Sequence, residues 1–162
     1  MRYRDLPTIE VTQRVKCDVP TAWALVTDIN LPTKCSSELR GVEWLDGATG
    51  VEVGARFRGR NVNEAMDWST VCEVVEVDAP HRWVYNVQGP EGPCATWAFE
   101  VEPTSDGALI RQWGRMGPGP SGLTPAILSM PDKEARIIAT RLAEWQTNMQ
   151  ANLECIRAEV EG

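Results

Sequence analysis

The residues able to do chemistry in this chain are few, and their types exclude more than they offer. There is one histidine, His81. A zinc or iron centre built on imidazole wants two or three of them, so no metal is expected. His81 stands in Asp78-Ala79-Pro80-His81-Arg82, a tight-turn sequence, where an exposed histidine is expected. A Ser/His/Asp triad would need it in a cleft. The five cysteines, Cys17, Cys35, Cys72, Cys94 and Cys155, contain no C-x-x-C pair and are odd in number. The opening MRYRDLPTIEV carries no apolar signal-peptide core. The cysteines are therefore expected to be free thiols of a cytoplasmic protein, packed as small hydrophobes. Gly117-Pro118-Gly119-Pro120-Ser121-Gly122 spells G-x-G-x-x-G, yet Pro118 and Pro120 have no N–H to offer a pyrophosphate, and no βαβ unit follows. A stiff loop is expected there, and no cofactor.

What remains is aromatic. Seven tryptophans stand against two tyrosines and two phenylalanines. Flat side chains in that number line a core or a pocket. The elements that carry them decide which.

Residues 8–17 alternate, with Ile9, Val11, Gln13 and Val15 on one face and Glu10, Thr12, Arg14 and Lys16 on the other, as in a half-buried strand. Asp18 suits a helix cap and Pro20 a first turn. Val19, Ala22, Trp23, Val26 and Ile29 then recur at helical spacing until about Asn30, and Pro32 stops the helix. A second helical turn is expected over 32–38. Strands are expected over 40–45, 53–62, 67–77, 82–88, 94–102 and 108–116, parted by turn signals at Asp46-Gly47, Asp78-Ala79-Pro80, Gly89-Pro90 and Pro103 to Gly107. Hairpin spacing of these turns predicts an antiparallel meander. Within 53–62, Arg56, Arg58 and Arg60 share a face that blunts and solubilises the sheet. Val53, Ala55, Phe57 and Gly59 occupy the other. After a Gly/Pro loop over 117–125, Ser129 is placed to cap a long helix, with Pro131 and Asp132 in its first turn. Ile138, Leu142, Trp145, Met149, Leu153, Ile156 and Val160 follow at spacings of 4, 3, 4, 4, 3 and 4. That stripe faces one way to about Glu161, roughly 45 Å of helix at 1.5 Å per residue.

The chain has 162 residues, 43% hydrophobic and 24% charged, the composition of one globular domain over 1–162. Its 16 basic residues against 23 acidic ones give a net charge of −7. That balance argues against nucleic acid and against a polybasic membrane anchor. No apolar run approaches 18 residues, so no stable membrane insertion is expected. A homodimer through a strand edge stays open. The element order predicts an α+β fold, a curved antiparallel sheet of about six to seven strands around the C-terminal helix, with one or two short helices after the first strand. A sheet that curls about one helix does not pack flush everywhere, and the gap is a natural cavity.

At this point several strings resemble the Bet v 1-like, START-related superfamily (SRPBCC), in its polyketide cyclase/dehydrase branch. They are VPTAWALVTDI at the first helix, VEWLDG leading to VGARFRGRN, the WSTVCEVVEVDAPHRWVYNV hairpin, and NLECIRAEVE at the end, together spanning about 8–160. The shared features are structural: a helix opener, turn glycines and a helix register. The resemblance implies the helix-grip fold. It implies a protein that carries lipids, hormones or pigments, cyclises polyketides, or assists chaperones. Many relatives have a tryptophan soon after the proline of the second helix, where this chain has Leu31-Pro32-Thr33-Lys34-Cys35. The resemblance carries over no catalytic residue.

Candidate cavity residues are Trp68, Tyr85, Trp97, Phe99, Gln112, Trp113, Leu142, Trp145 and Met149. Alternation puts Trp83, Tyr85 and Val87 on one face, and Trp97 and Phe99 on one face. It leaves open which of Arg111 and Gln112 points inward. The first expectation is a carrier or binder of a hydrophobic small molecule or lipid. The second is a metal-free and nucleotide-free polyketide aromatase/cyclase or dehydratase, for which Tyr85 and Arg111 are the pair that could donate to a developing enolate. The third is a co-chaperone-like interaction module using an exposed sheet face.

Overall fold

The computed structural model describes residues 1–162. Seven strands form one antiparallel sheet: β1 (Thr8–Val15), β2 (Leu39–Trp44), β3 (Arg56–Val62), β4 (Asp67–Asp78), β5 (Arg82–Gly89), β6 (Gly92–Thr104) and β7 (Gly107–Met116). Their spatial order is β1-β7-β6-β5-β4-β3-β2, a meander from β2 to β7 with β1 returned to the far edge. Irregular register at Leu39/Gly41, Val74/Glu76 and Val87/Gln88 bends the strands, which helps the sheet curl. The fold is the helix-grip fold, a curled half-barrel holding a C-terminal helix.

Between β1 and β2 lies α1 (Val19–Val26). Asp18 caps it, its side chain accepting from Thr21 N at 2.9 Å. Ala22 and Val26 are its buried residues. A 3-10 turn at Leu31–Lys34 follows, shorter than the expected second helical turn. After β7 the chain makes a short α2 (Thr124–Ser129), a 3-10 turn (Pro131–Lys133), and α3 (Glu134–Glu161). Two details correct the sequence expectation. Residues 124–129 are helical, because Pro125 opens a turn as readily as it closes a loop. Ser129 accordingly ends α2 and caps nothing; its hydroxyl donates back to Ala126 O. In α3 the expected stripe faces inward, with Ile138, Met149, Leu153 and Ile156 buried.

On β3 the arginine face is solvated as expected: Arg56 pairs with Asp46, Arg58 with Glu43, and Arg60 with Asp67. Such exposed pairs favour solubility more than stability. His81 is exposed in its turn. The Gly/Pro loop is stitched down: Gly117 N donates to Cys94 O, Gly119 N to Pro93 O, and the Tyr3 hydroxyl to Gly119 O at 2.6 Å.

The cysteines depart from expectation. The structure joins Cys35 to Cys155 as a disulfide, with Cα atoms 6.2 Å apart, and leaves Cys17, Cys72 and Cys94 free. Spacing cannot reveal a partner 120 residues away; only the docking of the segment after α1 onto α3 brings the two together. The cysteine count therefore gives no support to a reducing compartment. No helix is long and apolar enough to cross a membrane. Thiol titration of the denatured, unreduced protein is expected to count three, for Cys17, Cys72 and Cys94. Reduction should raise the count to the five of the sequence and lower stability by about 2–4 kcal/mol. Five thiols before reduction would contradict the pairing.

Candidate functional site

The site follows from where α3 touches the sheet. Its contact runs chiefly along the edge strand β1 and fades by β7. At 28 residues, about 42 Å, the helix crosses the concave face without lying on β3 to β6. Between them is a chamber of about 1000 Å³. Of its 39 lining residues 21 are hydrophobic, so its walls favour apolar ligands.

Cross-strand register builds the aromatic wall. Tyr85 pairs with Trp97 and Trp83 with Phe99. Phe57 on β3 meets Tyr85 edge-on at 5.1 Å, Tyr85 lies 5.1 Å from Trp83, and Trp83 stacks on Phe99 at 5.8 Å between ring centroids. Trp83 is the fixed member, 2% exposed, with its indole N–H donating to Val26 O at 3.1 Å. That bond ties the sheet to α1, whose Val26 lines the chamber. On the other side Trp97 reaches Trp145 of α3 at 4.5 Å, joining sheet and helix across the gap. Gly114, opposite Trp97, makes room for its ring; a Cβ there would fall 2.6 Å from the indole.

Polar groups in the chamber are few. The Tyr85 phenol makes no hydrogen bond to protein; burial, with Cys72 nearby, raises its pKa and keeps it a protonated donor. Burial pushes the Cys72 thiol up to about 12 and raises Cys94 as well, so both facing thiols stay protonated. Gln112 and Asn152 are buried and joined, Asn152 Nδ2 donating to Gln112 Oε1 at 3.3 Å.

One flank of the chamber is a strap, residues 35–38, laid along α3. It is held at three points on one helix face: the Cys35–Cys155 disulfide, Ser37 Oγ donating to Asn148 Oδ1 at 2.8 Å, and Arg141 donating to Glu38 at 2.7 and 3.0 Å. Positions 141, 148 and 155 are seven apart, two helical turns each. Burial pulls the Arg141 guanidinium down, but the bonds it donates to Glu38 and Glu144 and their charges outweigh that and raise it. Arg141 also covers the Trp68 ring at 5.8 Å.

The structure brings Trp68, Tyr85, Trp97, Phe99, Gln112, Trp145 and Met149 to the chamber wall. It corrects three placements. Leu142, a turn before Trp145 on the stripe, does not line the chamber, because the lining follows Ile137, Arg141, Trp145 and Asn148 on one flank. Trp113 lies on the outer face between Arg82 and Arg115, with Nε1 donating to Glu100. Arg111 is on that same outer face. It pairs with Glu100 across the ladder and approaches Glu10, so the sheet separates it from Tyr85. Burial favours the neutral form of Glu100, but bonds from Trp113 and Arg111 and the charges of Arg82 and Arg111 prevail and keep its pKa low. The strand alternates strictly, and Gln112 is the inward residue. Phe57, Asn152 and the strap were not singled out from sequence. Phe57 could have been, since it opposes the arginine face; Asn152, three residues after Met149, sits beside the stripe.

A family model described as "Polyketide cyclase / dehydrase and lipid transport" matches residues 7–161. No curated protein matches the chain. Among solved structures, a polyketide-cyclase-like protein of Corynebacterium glutamicum is 25% identical with a TM-score of 0.66, over 95% of this chain and 91% of that one. The di-domain ARO/CYC protein BexL of the BE-7585A biosynthetic pathway is 14% identical with a TM-score of 0.74, over 96% of this chain and 50% of that one. This chain thus spans about half of BexL. Ara h 8.0201 is 12% identical with a TM-score of 0.62, over 96% and 97%. The last two likenesses show the fold.

Two tryptophans on opposite sides of the wall give a direct check. Trp83→Ala removes a fully packed ring and should cost about 3–5 kcal/mol in denaturant unfolding. Trp145→Ala should cost less, because that ring is only partly buried and one side faces the chamber. Equal losses would mean that Trp145 is ordinary core.

Proposed function

The chain belongs to the polyketide cyclase / dehydrase and lipid transport family, and on that premise we propose that it binds or carries a hydrophobic small molecule or lipid between α3 and the sheet. The observation that carries this is the chamber itself: about 1000 Å³, mostly apolar, walled by Phe57, Tyr85, Trp97, Phe99 and Trp145. Such a volume falls at the upper end of small-molecule sites. A helix that needed only to complete a core would bury its stripe against the strands, since closing the gap would gain dispersion contacts and remove apolar surface from water.

A second reading has one observation in its favour. The Tyr85 hydroxyl is a neutral donor facing the chamber with no protein partner, the kind of group that stabilises a developing enolate in metal-free ring closure. Arg111 takes no part in it, so Tyr85 would act without the arginine expected beside it.

The test is titration with 1-aminoanthracene, an uncharged probe whose emission rises in apolar surroundings. Saturable one-to-one binding with quenching of tryptophan emission is expected, and Trp145→Ala should change the affinity. Absence of saturable binding would defeat the carrier and the cyclase readings together.

A further inference from the structure

We propose that Gln112 and Asn152 form a hydroxyl-selecting subsite in the chamber, and that the ligand is a neutral hydrophobe bearing an alcohol or phenol. This deepens the carrier reading and rests on it. Both side chains are more than nine-tenths buried, Gln112 7% and Asn152 4% exposed, and both line the chamber. Their surroundings are apolar: Gln112 sits between Phe99 and Val11 in the ladder, and Asn152 between Met149, Leu153 and Ile156 on α3.

The single bond between them uses one donor and one acceptor. Asn152 Oδ1 is left with no partner, and Gln112 Nε2 donates to no protein atom. Buried polar groups are almost always satisfied, and an apolar pair of similar volume would fill the same space without the penalty. The pair is therefore incomplete as core and complete only with a further group.

The open valences state what that group is. Two polar atoms have no partner at all, the acceptor Asn152 Oδ1 and the donor Gln112 Nε2. A hydroxyl meets both: it accepts from Gln112 Nε2 and, once the Asn152 amide turns to bring its buried Oδ1 to the chamber, gives its proton to Oδ1. An ether or ketone meets only the donor. A carboxylate sets its charge against Oδ1 and finds no cation at hand. The basic residues lining the chamber are Lys133, Arg136 and Arg141. The nearest in sequence, Arg141, is eleven residues from Asn152, about 16 Å along the helix, and its charge is already matched by Glu38 and Glu144.

The experiment is competition against 1-aminoanthracene by four matched compounds: naphthalene, 2-methoxynaphthalene, 2-naphthol and 2-naphthoate. Wild-type protein should bind 2-naphthol about tenfold more tightly than 2-methoxynaphthalene. It should bind 2-naphthoate more weakly than 2-naphthol. In the double variant Gln112→Leu/Asn152→Leu, naphthalene should still bind and the preference for 2-naphthol should fall to about one. Tyr85→Phe should keep the preference, which separates the amide pair from the nearby phenol. Equal binding of 2-naphthol and 2-methoxynaphthalene by the wild type overturns the subsite, with no variant needed. So does a preference that survives in the double variant. Naphthalene binding in either case leaves the carrier reading standing; failure of all four compounds and of the probe overturns both.

Discussion

The architecture of this protein depends on where α3 is allowed to rest. The helix finds strand contact at the edge, β1, and the sheet then curls away beneath it. Because the strands bend away while α3 runs on as one unbroken helix, packing at that edge leaves a gap over the rest. The apolar stripe of α3 is thus divided. Met149, Leu153 and Ile156 are buried in the common core, while Trp145 is left partly open at the chamber.

A gap of that size under a helix is stable only if the helix is held by other means. Three holds are present. Trp97 and Trp145 span from sheet to helix, with Gly114 giving Trp97 room. The strap is fastened at Cys155, Asn148 and Arg141, each two turns from the next. The start of the chain clamps the other end: Tyr3 N donates to Glu134 at 2.7 Å, and the Tyr3 hydroxyl holds the Gly/Pro loop. These links keep α3 at a distance as much as they keep it near.

The fold was legible because periodicity reports it. Period two marked each strand, turn residues separated them, and the stripe from Ile138 to Val160 marked α3. The site was legible in part, for the same reason: an aromatic on a strand must face one way or the other. The alternation placed Tyr85 and Trp97 on definite faces, and both line the chamber. It failed on β7, where Arg111 and Gln112 are both polar and hydrophobicity cannot rank them. The answer came from the neighbouring strand, where Glu100 faces Arg111 and Phe99 faces Gln112. Trp113 was misread because an indole covers an outer face well when Arg82 and Arg115 flank it and Glu100 takes its N–H. The disulfide and the strap were illegible. They join residues more than 100 apart in the chain, and no local pattern encodes such a meeting.

If α3 stands off the concave face, the space beneath it is open to a ligand. A crystal structure of the protein as isolated from its expression host tests this most directly. The expected result is α3 seated on β1, with Phe57, Tyr85, Trp97 and Trp145 bounding a space that holds continuous non-protein density. A helix collapsed onto β4 to β6, with Trp145 packed against Tyr85 and no space between, would contradict it.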